Sequence, residues 1–96
     1  MNTNRRQILF SNHAVKQMFL RNIDVEEVTF VISNGEAITE YPDDKPFPSK
    51  IIFASVNNRA LHVVCSFNER ENIIIVITVY EPSISIWEND FKTRKE

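Results

Sequence analysis

The chain reads as an α+β domain in which two N-terminal helices pack on a four-stranded antiparallel β-sheet, with a short C-terminal helix. Three observations lead there. Apolar residues recur at helical spacing behind two capping residues, Ser11 and Asp24. From Gly35 onward the period shifts to strand-like alternation. Turn residues then divide the second half into four extended stretches.

Ser11 caps a first helix over about residues 12–21, whose apolar face holds Ala14, Val15, Met18 and Phe19. His13, Gln17 and Arg21 follow one another at four-residue spacing beside that face, and Leu20 interrupts the polar side. Asp24 opens a second helix with Glu27 in the capping-box position, followed by Val25, Val28, Val31 and Ile32. The β-branched residues here favour a strand. The cap and the terminating Gly35 favour a helix, and decide it.

"EAITEYP" is the first strand, closed by a loop carrying Pro42, Pro46 and Pro48. "SKIIFASV" is the second, Asn57–Asn58 a tight turn, and "RALHVVCSF" the third. "NEREN" is a polar loop, and "IIIVITVY" the fourth strand. In the tail, Trp87 and Phe91 lie four apart on one face of a short helix, where they cap the core rather than stack on bases.

At 96 residues the chain forms a single domain, 1–96. The longest apolar run, Ile73 to Ile77, is far short of the roughly 20 residues of a membrane helix, and no secretory signal is visible. A lone cysteine, Cys65, excludes an internal disulfide and a cysteine-cluster metal site; with the missing signal it fits the cytoplasm. Net charge is −2, so nucleic-acid binding is not suggested by total charge. Positive charge gathers instead at the ends, in Arg5, Arg6, Lys92, Arg94 and Lys95.

The last hairpin can be registered by its apolar pattern. Pairing Phe67 with Ile73 gathers Leu61, Val63, Cys65, Ile75, Ile77 and Val79 on one face. His62 then stands on the other face, opposite Thr78 and diagonal to Tyr80. Two readings remain open. His62 is a structural cross-strand residue, or it shares a proton-handling patch with Thr78 and Tyr80. Likewise His13 is a solvated first-turn histidine or the second proton carrier, and Arg21 covers the core edge or meets a phosphate.

The stretches "HAVKQMFLRNI", "DVEEV", "NGEAITEYPDDKPFPSK", "LHVV" and "TVYEPSISIWENDFKTRK" together resemble a bacterial family of small proteins known as a domain of unknown function. Its members are similar to RelE-like and MqsR-like microbial ribonucleases. The resemblance implies a toxin of a type II toxin–antitoxin system, acting as an mRNA endoribonuclease. It also implies a cognate antitoxin, of which the YgiT/MqsA zinc-finger type is one form. RNA, free or on the ribosome, is the substrate it implies; no membrane partner is expected, and a small oligomer is admitted.

The family's landmarks fall on His13, Arg21, His62, Thr78 and Tyr80, while the family's arginine of "RM" is Gln17 here. Metal-independent RNA cleavage needs a base at the 2′-hydroxyl and an acid at the 5′-oxygen, work that suits imidazoles. His62 and His13 are expected to divide the base and acid roles, with Arg21 and Lys50 offsetting phosphorane charge and Thr78 and Tyr80 orienting His62 or a scissile oxygen. Lys50, Lys92 and Arg94 are the expected RNA contacts. No cofactor or metal is expected. The rival class is a non-catalytic interaction module, favoured by Gln17 and the acidic balance, in which His62 is structural. A third is a bare core-forming domain of a larger assembly.

Overall fold

The computed structural model describes residues 6–96; Arg5, part of the expected N-terminal basic cluster, lies outside the described residues. In chain order the elements are β1 (Gln7–Phe10), α1 (Asn12–Arg21), α2 (Val25–Asn34), β2 (Glu36–Tyr41), β3 (Ser49–Val56), β4 (Arg59–Asn68) and β5 (Ile73–Tyr80). They form one five-stranded sheet in the order β1-β5-β4-β3-β2, with β1 parallel to β5 and every other pair antiparallel.

The fold expected from sequence is corrected in two places. The sheet is five-stranded and mixed rather than four-stranded and antiparallel, because a strand precedes the helices. Four residues give β1 only two alternations: Ile8 and Phe10 pack against the core while Gln7 and Leu9 are exposed. Its partner lies more than sixty residues away, with Gln7 beside Ile73. No local signal announces such a pairing, whereas a hairpin announces itself by its turn.

The second correction concerns the C-terminus, which is a strap of turns and no helix. The Ser83 hydroxyl accepts the Ser85 N–H, and Asp90 accepts the backbone N–H groups of Lys92 and Thr93. These side chains offer the backbone an alternative to helical bonding. Phe91 adopts a left-handed φ of 59°, and Trp87 pairs with Arg94 in an isolated bridge.

Both helices keep their expected bounds for local reasons. The Ser11 hydroxyl accepts the Ala14 N–H and donates to the carbonyl of Ile77, so one side chain caps α1 and ties it to β5. α1 ends at Asn22, whose left-handed φ of 56° turns its N–H back onto the carbonyls of Met18 and Phe19. Asp24 and Glu27 form a reciprocal capping box for α2. Ala14 and Met18 of α1 and Val28 and Val31 of α2 are buried on one face of the sheet, against Leu61, Val63, Cys65, Ile74, Val76 and Val79.

The hairpin of β3 and β4 turns on Asn57 and Asn58, with φ of 53° and 67°, and pairs Val56 with Arg59 and Lys50 with Cys65. The last hairpin departs from its expected register. Asn68 faces Ile73, and a bulge between Val64 and Cys65 brings His62 opposite Tyr80 and Val64 opposite Thr78. The bulge puts Ile74, Val76 and Val79 in the core and exposes Ile77. His62 still leaves the helix-covered face, as the alternation requires.

Candidate functional site

His62 is fully buried, on the sheet face that the strap covers. Its ring meets Phe53, Tyr80 and Trp87 edge-on, the Trp87 centroid being 4.6 Å away at an interplanar angle of 86°. Nε2 lies 2.7 Å from the carbonyl oxygen of Phe91, and Nδ1 lies 3.2 Å from the Tyr80 hydroxyl. A carbonyl can only accept, so Nε2 carries the proton, and the Tyr80 hydroxyl donates to the bare Nδ1. Burial lowers the pKa of His62, although the Phe91 carbonyl opposes the shift. Tyr80 is raised above the ordinary phenol value, first by burial and then by the neighbouring Tyr41. Both ring nitrogens are therefore engaged within the protein.

The other expected site residues do not gather around this ring. Thr78 shares the sheet face but stands opposite Val64. His13 is exposed on α1, which packs on the opposite side of the sheet. Arg21, also exposed, donates through Nε to the Gln17 side chain at 2.9 Å. Lys92 pairs with Glu36 at 3.2 Å, and the Arg94 guanidinium lies 5.9 Å from the centroid of Trp87. His13 and His62 thus belong to opposite faces of the sheet.

Lys50 has a different setting. Its pairing with Cys65 puts it on the helix-covered face, at the end of the sheet where α2 finishes. Here the helix layer leaves a cleft of about 660 Å³. Ile8, Ile32 and Ile74 line it with apolar surface, and Thr29 and Ser33 face it from one stripe of α2. Phe67, also in its lining, carries two cations: the Lys50 ammonium lies 4.5 Å from the ring centroid and the Arg6 guanidinium 5.6 Å. Arg6 also pairs with Glu69 at 3.1 Å. Lys50 meets no carboxylate in an ion pair among the described residues. A smaller cavity of about 160 Å³ adjoins, sharing Lys50 and Phe67 and reaching Pro42 and Pro48.

Sequence reasoning found Lys50 but missed Arg6 and Phe67 as its companions. Arg6 precedes the strand that local pattern did not reveal. The face of Lys50 was within reach: a two-residue turn at Asn57–Asn58 fixes Val56 against Arg59, and counting back sets Lys50 against Cys65.

A second polar cluster lies at the far end of the sheet. Arg59, at the start of β4, donates to the carbonyls of Arg21 and Asn22 and to Glu27, the last at 2.9 Å. It also reaches Glu81 at 3.4 Å. Asn57 donates to the other oxygen of Glu27 at 2.8 Å. That hydrogen bond leads the influences holding the buried Glu27 below the usual carboxylate pKa, against burial and alongside the Asp24 backbone and Arg59. The cluster clamps the C-terminal end of α1 to the β3–β4 turn, with both terminal nitrogens of Arg59 bonded within the protein.

Fold and cleft together define a small α+β domain with a cation-and-aromatic recess beside a helix end. Residues 10–81 match the family described as a domain of unknown function, DUF4258, and the chain belongs to that family. The strap over His62 and the Arg6 side of the cleft fall outside the matched residues. Comparison with curated proteins and with solved structures returned no match. No described helix is long and apolar enough to cross a membrane.

Proposed function

We propose that this chain is the RNA-directed component of a type II toxin–antitoxin pair, an mRNA endoribonuclease of the cytoplasm that engages RNA at the cleft between α2 and the sheet. The observation that carries this reading is Phe67 flanked by Lys50 and Arg6 in a recess of about 660 Å³. RNA presents anionic phosphates and flat bases, and single-stranded sites meet them with cations and aromatic surface. The volume falls within the roughly 300–1,000 Å³ usual for small-ligand sites. Lys50 forms no ion pair among the described residues, although Glu40 stands opposite it on β2 and Glu69 shares the cleft, and it is the cation an incoming phosphate would meet.

In the reaction the 2′-hydroxyl gives its proton to water as its oxygen attacks phosphorus, and the bond to the 5′-oxygen breaks as that oxygen takes a proton from water, leaving a 2′,3′-cyclic phosphate and a 5′-hydroxyl. Lys50 and Arg6 offset the charge that the phosphorane accumulates. His62 holds the strap in place and takes no part at the cleft. The test is incubation of the protein with a long mRNA in EDTA, with analysis of product ends. Cyclic-phosphate ends that diminish at least tenfold in Lys50→Gln support the reading. A wild-type protein that neither binds nor cuts RNA sinks it.

A second reading, a non-catalytic interaction module, is favoured by one specific observation: large apolar side chains stand exposed on α1, Phe19 most of all. Binding of a protein partner in the absence of any RNA binding would select it.

A further inference from the structure

α1 turns one face to the core and leaves the other uncovered. On that outer face Val15 is 53% exposed, Phe19 85% and Leu20 64%. Val15 and Phe19 stand one turn apart, and so do Lys16 and Leu20, which makes a ridge two turns long. Phenylalanine at such exposure on a capped, well-packed helix gains nothing from the fold of this chain.

The charges along α1 are all of one sign. From Asn12 to Arg21 it holds Lys16, Arg21 and the titratable His13, with no aspartate or glutamate. Arg21 bonds Gln17, and neither Lys16 nor Arg21 meets a carboxylate among the described residues. In a chain of net charge −2, these cations border an apolar ridge and await acids from elsewhere.

We propose that the outer face of α1 docks an amphipathic helix of a protein partner, one whose apolar stripe covers Val15, Phe19 and Leu20 and whose flanking Asp and Glu meet Lys16 and Arg21. A second copy of this chain fits poorly, because it would bring Lys16 and Arg21 against their own kind. An anionic lipid surface fits poorly too, since α1 offers only Lys16 and Arg21 against the several clustered cations such a surface calls for, in a chain of net charge −2. A helix packed against this ridge presents its own apolar residues at i, i+3, i+4 and i+7.

The surface is separate from the Lys50 cleft, whose lining includes no residue of α1, so its test stands apart from that of RNA cleavage. A display library of helical peptides is selected against the full chain, and the enriched peptides are measured by titration. Enriched sequences should pair an apolar stripe with Asp and Glu, and their affinity should fall at least tenfold in Phe19→Ser. It should fall several-fold in Lys16→Glu and hold in Lys50→Gln. Because Phe19 is so exposed, Phe19→Ser leaves the fold intact, which circular dichroism checks. Neutral or basic winners, or binders indifferent to Phe19→Ser, overturn the proposal. So does a dimer in sedimentation that Phe19→Ser dissolves, or binding to phosphatidylserine vesicles that Phe19→Ser abolishes.

Discussion

The Nε2 of His62 donates to the carbonyl oxygen of Phe91 across 2.7 Å, and this bond fastens the C-terminal strap to the centre of the sheet. Phe91 presents that carbonyl from a left-handed backbone, φ 59°, which a bulky L-residue adopts at a cost. The remaining lone pair of the ring, on Nδ1, is filled by Tyr80. A proton on Nδ1 would leave two donors facing each other unless the phenol turned away.

Stability should therefore fall as pH drops through the ordinary histidine range. The folded pKa of His62 is lowered, chiefly by burial. The unfolded chain binds a proton near pH 6.5 while the folded chain resists it, so the loss begins there and levels off below the folded value. The slope can reach about 1.4 kcal/mol per pH unit for one proton. Urea unfolding at pH 7.5 and 5.5 measures it. In His62→Gln, less stable at both, the difference between the two pH values should shrink markedly; an unchanged difference would assign the effect to other groups.

The features legible in the sequence were those with local causes. Ser11 and Asp24 announced both helices because caps act within three residues, and the Asn57–Asn58 turn announced its hairpin. Alternation put His62 on the face away from the helices. What stayed hidden depended on distant partners: β1 on β5, the strap on His62, and Arg6 beside Phe67. The bulge at Val64–Cys65 was hidden because the apolar pattern was read as one unbroken alternation, whereas a bulge lets β5 change faces midway. Of the candidate site, Lys50 was recognised by type and His62 by position, but the company each keeps was not.

Removing Arg59 should be more damaging than its partial exposure suggests. Glu27 would keep its buried charge with Asn57 and the Asp24 backbone alone, and the carbonyls of Arg21 and Asn22 would lose their donor. Arg59→Met is expected to cost about 2–4 kcal/mol, as for other ion pairs broken from one side. Glu27→Gln combined with Arg59→Met should cost less than the sum of the two singles, which a double-mutant cycle by urea unfolding reads directly. The contribution from Glu27 is present above about pH 4.5 and fades as pH falls through its lowered folded pKa.

Gly35 and Asn58 should respond in opposite ways to simple exchanges. Gly35 has an ordinary φ of −81°, so its requirement is for space and has nothing to do with dihedral freedom. A Cβ there would lie 2.5 Å from the carbonyl oxygen of Val31 and 2.6 Å from that of Phe53. Gly35→Ala must shift backbone where α2 meets β3, and a loss of about 2 kcal/mol or more is expected. Asn58, at φ 67°, sits where glycine is at ease, so Asn58→Gly should be nearly neutral. Thermal unfolding of the two variants decides it.

Lys50 offers the sharpest quantitative check on the cleft. If its ammonium leaves the face of Phe67 to meet a phosphate, binding must release a counterion for that contact. Lys50→Gln should weaken binding of a single-stranded RNA about tenfold, roughly 1.4 kcal/mol, and flatten the dependence of log K on log salt by about 0.7. Lys92→Gln, whose ammonium is engaged with Glu36 on the other side of the molecule, should change neither quantity by a comparable amount. Fluorescence anisotropy from 50 to 200 mM salt measures both. Equal losses from the two variants would mean that RNA adheres diffusely, by net charge alone, and that the recess beside Phe67 does not define where it binds.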